Sequence, residues 1–151
     1  MTLRAVVGLG ANLGDRLGTM RAALAELARV ARVEATSRVY ESPAVGPPQP
    51  DYLNAAALVE WGGEPEALLD ALLAIEAKLG RVRREKWGPR TIDLDVLWIE
   101  GREVRSPRLV VPHPEVAKRA FAVAPLLEVA PAAPYTMPPG ELRVLDGAGR
   151  L

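Results

Sequence analysis

Cysteine is absent from this chain of 151 residues, and histidine and phenylalanine each occur once. Without thiols there is no disulfide, no thiolate metal site and no cysteine nucleophile, and an intracellular compartment becomes the default. A charge imbalance is absent too. Lysines and arginines number 19, as do aspartates and glutamates, so no overall field draws the protein to nucleic acid or to an acidic membrane surface. Long apolar runs are missing: Met1-Thr2-Leu3-Arg4 leads into a stretch too short to span a membrane and without the layout of a secretion signal. No Gly-Lys-Ser or Gly-Lys-Thr occurs, which excludes a P-loop. Gly8-Leu9-Gly10-Ala11-Asn12-Leu13-Gly14 misses the dinucleotide fingerprint because its last glycine falls one position late, and it reads as a tight strand-to-helix connection. The expectation is a cytoplasmic single domain over residues 1–151, able to bury a core unaided.

What is present alternates between two periods. Leu3 to Leu9 reads as a buried strand, and Leu17, Met20, Leu24, Leu27 and Ala31 recur at helical spacing. Arg32 to Tyr40 alternates as a second strand. Glu41 to Asp51 holds four prolines and one glycine, too many for regular structure. Tyr52 to Trp61 makes a third strand. Glu64-Pro65-Glu66 opens a helix with proline at the tolerated first turn and acids at the positive end of the dipole, and Leu68, Leu72, Ile75 and Leu79 form its apolar stripe up to Gly80. A strand with two aspartates follows, then a hairpin at Ile99 to Val104. The proline-rich tail after Ala130 is expected to be irregular apart from Leu142 to Leu145. The order predicts an α+β fold, a ferredoxin-like antiparallel sheet with helices packed on one face: a βαββαβ core plus an extra hairpin. The opposite face is left for a site, where the proline loop, a basic loop and Pro112-His113-Pro114 could gather.

The chemistry concentrates in Trp87-Gly88-Pro89-Arg90-Thr91-Ile92-Asp93-Leu94-Asp95. On a strand, Thr91, Asp93, Asp95 and Leu97 share one face, while Ile92, Leu94, Val96 and Trp98 share the other and belong to the core. Two carboxylates about 7 Å apart along a strand repel each other unless solvated or bridged by a cation. Carboxylate oxygens suit hard cations such as Mg²⁺. Arg81, Arg83, Arg84, Lys86 and Arg90 face one acid, Glu85, in an environment suited to polyphosphate. An Asp-Leu-Asp also occurs on plain solvated strands, but the Trp-Gly-Pro turn and adjacent guanidinium favour metal-assisted phosphoryl transfer. Elsewhere the residues leave more open. Tyr52 and Asn54 share a strand face beside the proline loop, and Phe121 follows Arg119 closely. Spacing alone favours core packing for these rings, although two rings and an amide also suit a flat heterocycle. His113, held between two prolines upstream of Arg119, is either structural or a phosphate or proton contact.

Taken together, these segments resemble one family, 6-hydroxymethyl-7,8-dihydropterin pyrophosphokinase of folate biosynthesis. The likeness runs through Gly8 to Asp15, Tyr40-Glu41-Ser42-Pro43 to Gly46, Pro50 to Ala55, Arg81 to Asp95, and Val111-Pro112-His113-Pro114 through Arg119 and Phe121. It implies transfer of the β,γ-pyrophosphoryl group from ATP, as co-substrate, to the pterin hydroxymethyl oxygen, with release of AMP. It further implies that Asp93 and Asp95 hold two Mg²⁺ ions, that Tyr52 and Phe121 sandwich the pterin, and that Asn54 bonds its edge. Backbone around Ser42, Pro43 and Val45 would complete that pocket. Arg81, Arg83 and Trp87 would lie on a mobile loop that closes as a lid over the phosphates. Arg90, His113 and Arg119 would bind phosphate, and Glu76 would contribute on the nucleotide side. The partners implied are these small molecules alone, with no nucleic acid and no membrane, and the expected state is a monomer. Lys86 stands where relatives often carry arginine, and Val110 where some carry threonine. On the residues alone, two rival readings stay open: another Mg-dependent phosphohydrolase or nuclease, and a noncatalytic ferredoxin-like binding module.

Overall fold

The computed structural model describes residues 2–44, 50–80 and 92–151. Val45, Arg81, Arg83, Trp87 and Arg90, together with Arg84, Glu85, Lys86 and Thr91, lie outside the described residues. Strand β1 (Leu3–Ala11) is the centre of the architecture, paired antiparallel on one side with β4 (Tyr52–Trp61) and on the other with β5 (Asp93–Ile99). The far edge of β4 pairs with two short strands, β2 (Arg32–Thr36) and β3 (Tyr40–Ser42). The sequence predicts one strand here. It is broken at Ser37, whose hydroxyl accepts the Ala56 N–H at 2.8 Å and so takes the place of a ladder carbonyl.

Alternation sorts each strand between two faces. Leu3, Ala5, Val7 and Leu9 of β1 and Leu53, Ala55, Ala57 and Val59 of β4 enter one core with helices α1 (Arg16–Val30) and α2 (Pro65–Lys78). Helix α1 starts at Asp15, whose side chain accepts the Gly18 N–H at 3.0 Å. Helix α2 buries Leu68, Leu72 and Ile75.

The other face is not bare, contrary to the expectation of helices on one side only. Val6, Ala56, Leu58 and Leu97 form a second core with α3 (Ala120–Val129), whose Val123 and Leu126 are fully buried. Burying each such side chain contributes about 1.5–3 kcal/mol. Ala120 to Val129 hid from periodicity because it is nearly all apolar and contains Pro125. Glu128 anchors this helix to the sheet, accepting from the Arg38 guanidinium at 3.0 Å and from the Tyr40 hydroxyl. Burial would push its carboxyl up, but the Tyr40 and Arg38 bonds outweigh that and hold it below the usual range.

Strands β6 (Val104–Arg105) and β7 (Val110–Val111) pair with each other in a separate two-stranded sheet, so the extra strand after Ile99 does not extend the main one. In the tail, β8 (Arg143–Val144) pairs with β3, the one regular piece expected there. Among the described residues no helix is long and apolar enough to cross a membrane.

Candidate active site

Helix α3 covers only the Val6, Ala56 and Leu58 end of its face. Toward the Gly10 end of β1 the sheet opens into a cavity of about 490 Å³. Asp93 and Asp95 project into it from β5 and Tyr52 and Asn54 from β4, with Ser42 and Pro43 at the end of β3. His113 and Arg119 close it from the segment leading into α3, and Phe121 from the first turn of that helix. Ser42 and Phe121, 79 residues apart in the sequence, thus meet around one space.

The register explains why there is room. Asp93 lies opposite Gly10 and Asp95 opposite Gly8, so the two-residue period of the acids is matched by a two-residue period of glycines on β1. A side chain at either glycine would fill the space beside the carboxylates. A Cβ on Gly8 would sit 2.9 Å from Leu97 Cδ1, and one on Gly10 would sit 3.3 Å from Asn54 Oδ1. The sequence reads Gly8 and Gly10 as the end of the first strand entering a tight connection to the helix, and does not mark them as part of the site. They are strand residues, and the turn follows at Gly14, with φ of 61°. The matching Gly-x-Gly and Asp-x-Asp periods were the available signal.

β5 does not keep one alternation throughout. Val7 pairs with Val96 and Val6 with Trp98, leaving Leu97 as an extra residue in a β-bulge. Beyond it the faces exchange: Ile99 joins the core with α1 and α2, whereas Trp98, expected there, packs against the core with α3. The bulge also has a use. The Leu97 carbonyl accepts the His113 N–H at 3.0 Å, which brings the loop after the cis Val111–Pro112 bond next to the acidic strand. His113 Nδ1 accepts the Glu115 N–H at 3.2 Å, so a neutral ring carries its proton on Nε2.

Asn54 is oriented rather than loose: it is buried, and its Nδ2 donates to Ser42 Oγ at 3.1 Å. The Arg119 guanidinium lies 5.8 Å from the centre of the Phe121 ring, within cation–π range. Asp95 is exposed and Asp93 half-buried. Among the described residues no third ligating side chain joins them in a cluster. Glu76, expected on the nucleotide side, does not line the cavity. It is buried on α2, and its carboxylate accepts the Leu94 N–H at 2.9 Å, beneath the acidic strand.

An antiparallel α+β sheet with acids, an amide and aromatics converging at one open end suits an enzyme that handles small polar molecules. Comparison with known proteins gives the family. The model of 7,8-dihydro-6-hydroxymethylpterin-pyrophosphokinase matches residues 6–131, and the chain belongs to that family. It is 50% identical over 129 residues to the 2-amino-4-hydroxy-6-hydroxymethyldihydropteridine pyrophosphokinase of Synechocystis, an alignment covering 84% of this chain and 66% of that one. The enzyme of the same name from Methylorubrum extorquens is 47% identical over 131 residues, 85% of this chain and 83% of its own. The one from Pseudomonas aeruginosa is 41% identical over 150 residues, 97% of this chain and 87% of its own. A crystal structure of an HPPK-DHPS protein in complex with substrates superposes with a TM-score of 0.68 at 12% identity, over 89% of this chain and 43% of that chain, and shares the fold.

Proposed function

We propose that this chain transfers the β,γ-pyrophosphoryl group of ATP to the hydroxymethyl oxygen of 6-hydroxymethyl-7,8-dihydropterin, giving the pterin diphosphate and AMP for folate biosynthesis. The observation that carries the reading is that an aromatic and amide set and a pair of carboxylates open onto one cavity. Membership of the pyrophosphokinase family supports it.

The residues divide by chemistry. Tyr52 and Phe121 take the faces of the flat pterin, and Asn54, fixed by Ser42, bonds its polar edge. Pro43 bounds the same subsite, to which Val45, outside the described residues, would add a backbone contact. Asp93 and Asp95 would hold Mg²⁺, and the pair is a sufficient donor set. Magnesium takes one or two protein carboxylates and fills its octahedron with water and phosphate oxygens, for which the glycines opposite leave room. When bound, it supplies neutralisation of the phosphate charge and alignment of the triphosphate. His113 donates from Nε2 and Arg119 from its guanidinium to phosphate oxygens, which requires Arg119 to leave the Phe121 ring as the pterin enters. Arg81, Arg83 and Arg90, which lie outside the described residues, would add guanidinium contacts to the phosphates, with Trp87 a further catalytic residue of the same segment. Glu76 acts through the backbone of β5 rather than on nucleotide.

The strand order β5, β1, β4, then β2 and β3, supports a ferredoxin-like core with an appended hairpin. We read the chain as one cytoplasmic domain acting as a monomer. The test is AMP formation with Mg²⁺, ATP and the reduced hydroxymethyl pterin, beside a reaction lacking pterin. AMP that depends on pterin is expected; AMP formed equally without it would point to a phosphohydrolase.

A further inference from the structure

Two acids flank the acceptor end of the cavity without lining it. Ser42 pairs with Tyr52 where β3 and β4 meet, and both face the cavity. The residues just before them in the chain, Glu41 on β3 and Asp51 ahead of β4, are held by the same two arginines. Arg16, at the start of α1, donates through Nη1 to Glu41 Oε2 at 2.8 Å and to the Asp51 carbonyl at 2.8 Å. Arg143, on β8, donates to Glu41 Oε1 through Nε at 3.0 Å and Nη2 at 2.5 Å, and reaches Asp51 Oδ2 at 3.2 Å. Each guanidinium therefore links β3 to the residue that precedes β4. Arg143 lies beyond residues 6–131, the stretch matched by the family.

We propose that Arg143 and Arg16 are positioning residues for the acceptor subsite, clamping Glu41 to Asp51 so that Ser42 and Tyr52 stand ready for the pterin ring. The proposal rests on the functional reading above. Burial marks the clamp as more than a scattered surface pair: the Glu41 side chain is only 12% exposed, although that of Arg143 is 62% exposed. Arg16 first, then Arg143, holds the Glu41 carboxyl below the ordinary glutamate range, so the clamp is charged at neutral pH. Exposed ion pairs add little to global stability. A binding site, by contrast, loses function when its groups move by about 0.5 Å. Removing Arg143 should therefore register in pterin recognition before it registers in folding. Ser42 also carries the hydrogen bond that orients Asn54, so a shift at Glu41 is transmitted to the amide at the pterin edge.

The test is steady-state AMP formation by the wild type, Arg143→Ala, Arg143→Lys and Asp51→Asn, with each substrate varied in turn and the thermal midpoint measured alongside. Arg143→Ala is expected to raise the pterin KM about fivefold or more while kcat and the ATP KM stay within about twofold. Arg143→Lys should recover part of the loss, since it restores the charge without the fork. Asp51→Asn should raise the pterin KM by a smaller factor, and it decides the matter if Arg143→Ala fails to fold. An unchanged pterin KM in folded Arg143→Ala, or losses in kcat and both KM values that track a fallen midpoint, would overturn the clamp. A wild type that forms no pterin-dependent AMP would overturn the functional reading instead.

Discussion

The Glu76 carboxylate on α2 accepts the backbone N–H of Leu94 at 2.9 Å, directly between Asp93 and Asp95 in the chain. β5 is the edge strand of the main sheet, so this N–H points away from β1 and a helix residue supplies the partner that a further strand would otherwise provide. Glu76→Ala leaves that donor buried and unsatisfied. The expected cost is about 1–3 kcal/mol, read as a lower urea midpoint, together with faster hydrogen exchange at the Leu94 amide. Unchanged exchange there would show that the carboxylate does not hold the strand.

The glycines opposite the acids give a second prediction. Gly8→Ala places a methyl group 2.9 Å from Leu97 Cδ1, and Leu97 is buried at the bulge that also holds His113. Overpacking of this kind costs about 1–3 kcal/mol, and activity should fall because Leu97 and His113 move together. In a Leu97→Ala background the same substitution should cost less, and urea denaturation of the four proteins of that cycle measures the coupling. Strict additivity would show that the contact is not the cause.

How far the site was legible follows from where its signals reside. Asp93 and Asp95 share a face by local alternation, and their strand was readable from a few neighbours. The same holds for the α1 and α2 stripes, where the period is contained within each element. The bulge at Leu97 arises from counting residues across two paired strands, which no single segment records, and it sends Trp98 to the opposite core. Helix α3 lacks the polar face that marks a half-buried helix, because Ala120 to Val129 is nearly all apolar, with Ala122, Val123 and Leu126 packed against one end of the sheet face. Gly8 and Gly10 read locally as punctuation at the end of a strand, and only the register across two strands places them opposite the acids. Tyr52 and Phe121 were ambiguous by spacing, since an aromatic in a core and one at the wall of a cavity read alike.

Acid titration gives a third prediction. Hydrogen bonds and charge from Arg16 and then Arg143 lower the Glu41 pKa in the folded state. A lowered carboxyl stabilises the fold above its unfolded value, about 4.3, and that contribution is lost as pH falls through the folded value. Glu41→Gln should therefore be less stable than the wild type at neutral pH, with the gap closing progressively below about pH 4. Urea midpoints across that range check it. A gap that stays constant down to acid pH would contradict the assigned pairing.

The most direct measurement is AMP release by Asp95→Ala at saturating Mg²⁺, ATP and hydroxymethyl pterin, with pterin binding in the nucleotide complex followed in parallel. Asp95 lies opposite Gly8 and projects into the cavity that Tyr52, Asn54 and Phe121 also line. The account predicts that AMP release disappears while the pterin still binds. Full activity in that variant would contradict the assignment of the paired carboxylates to the metal and the phosphates.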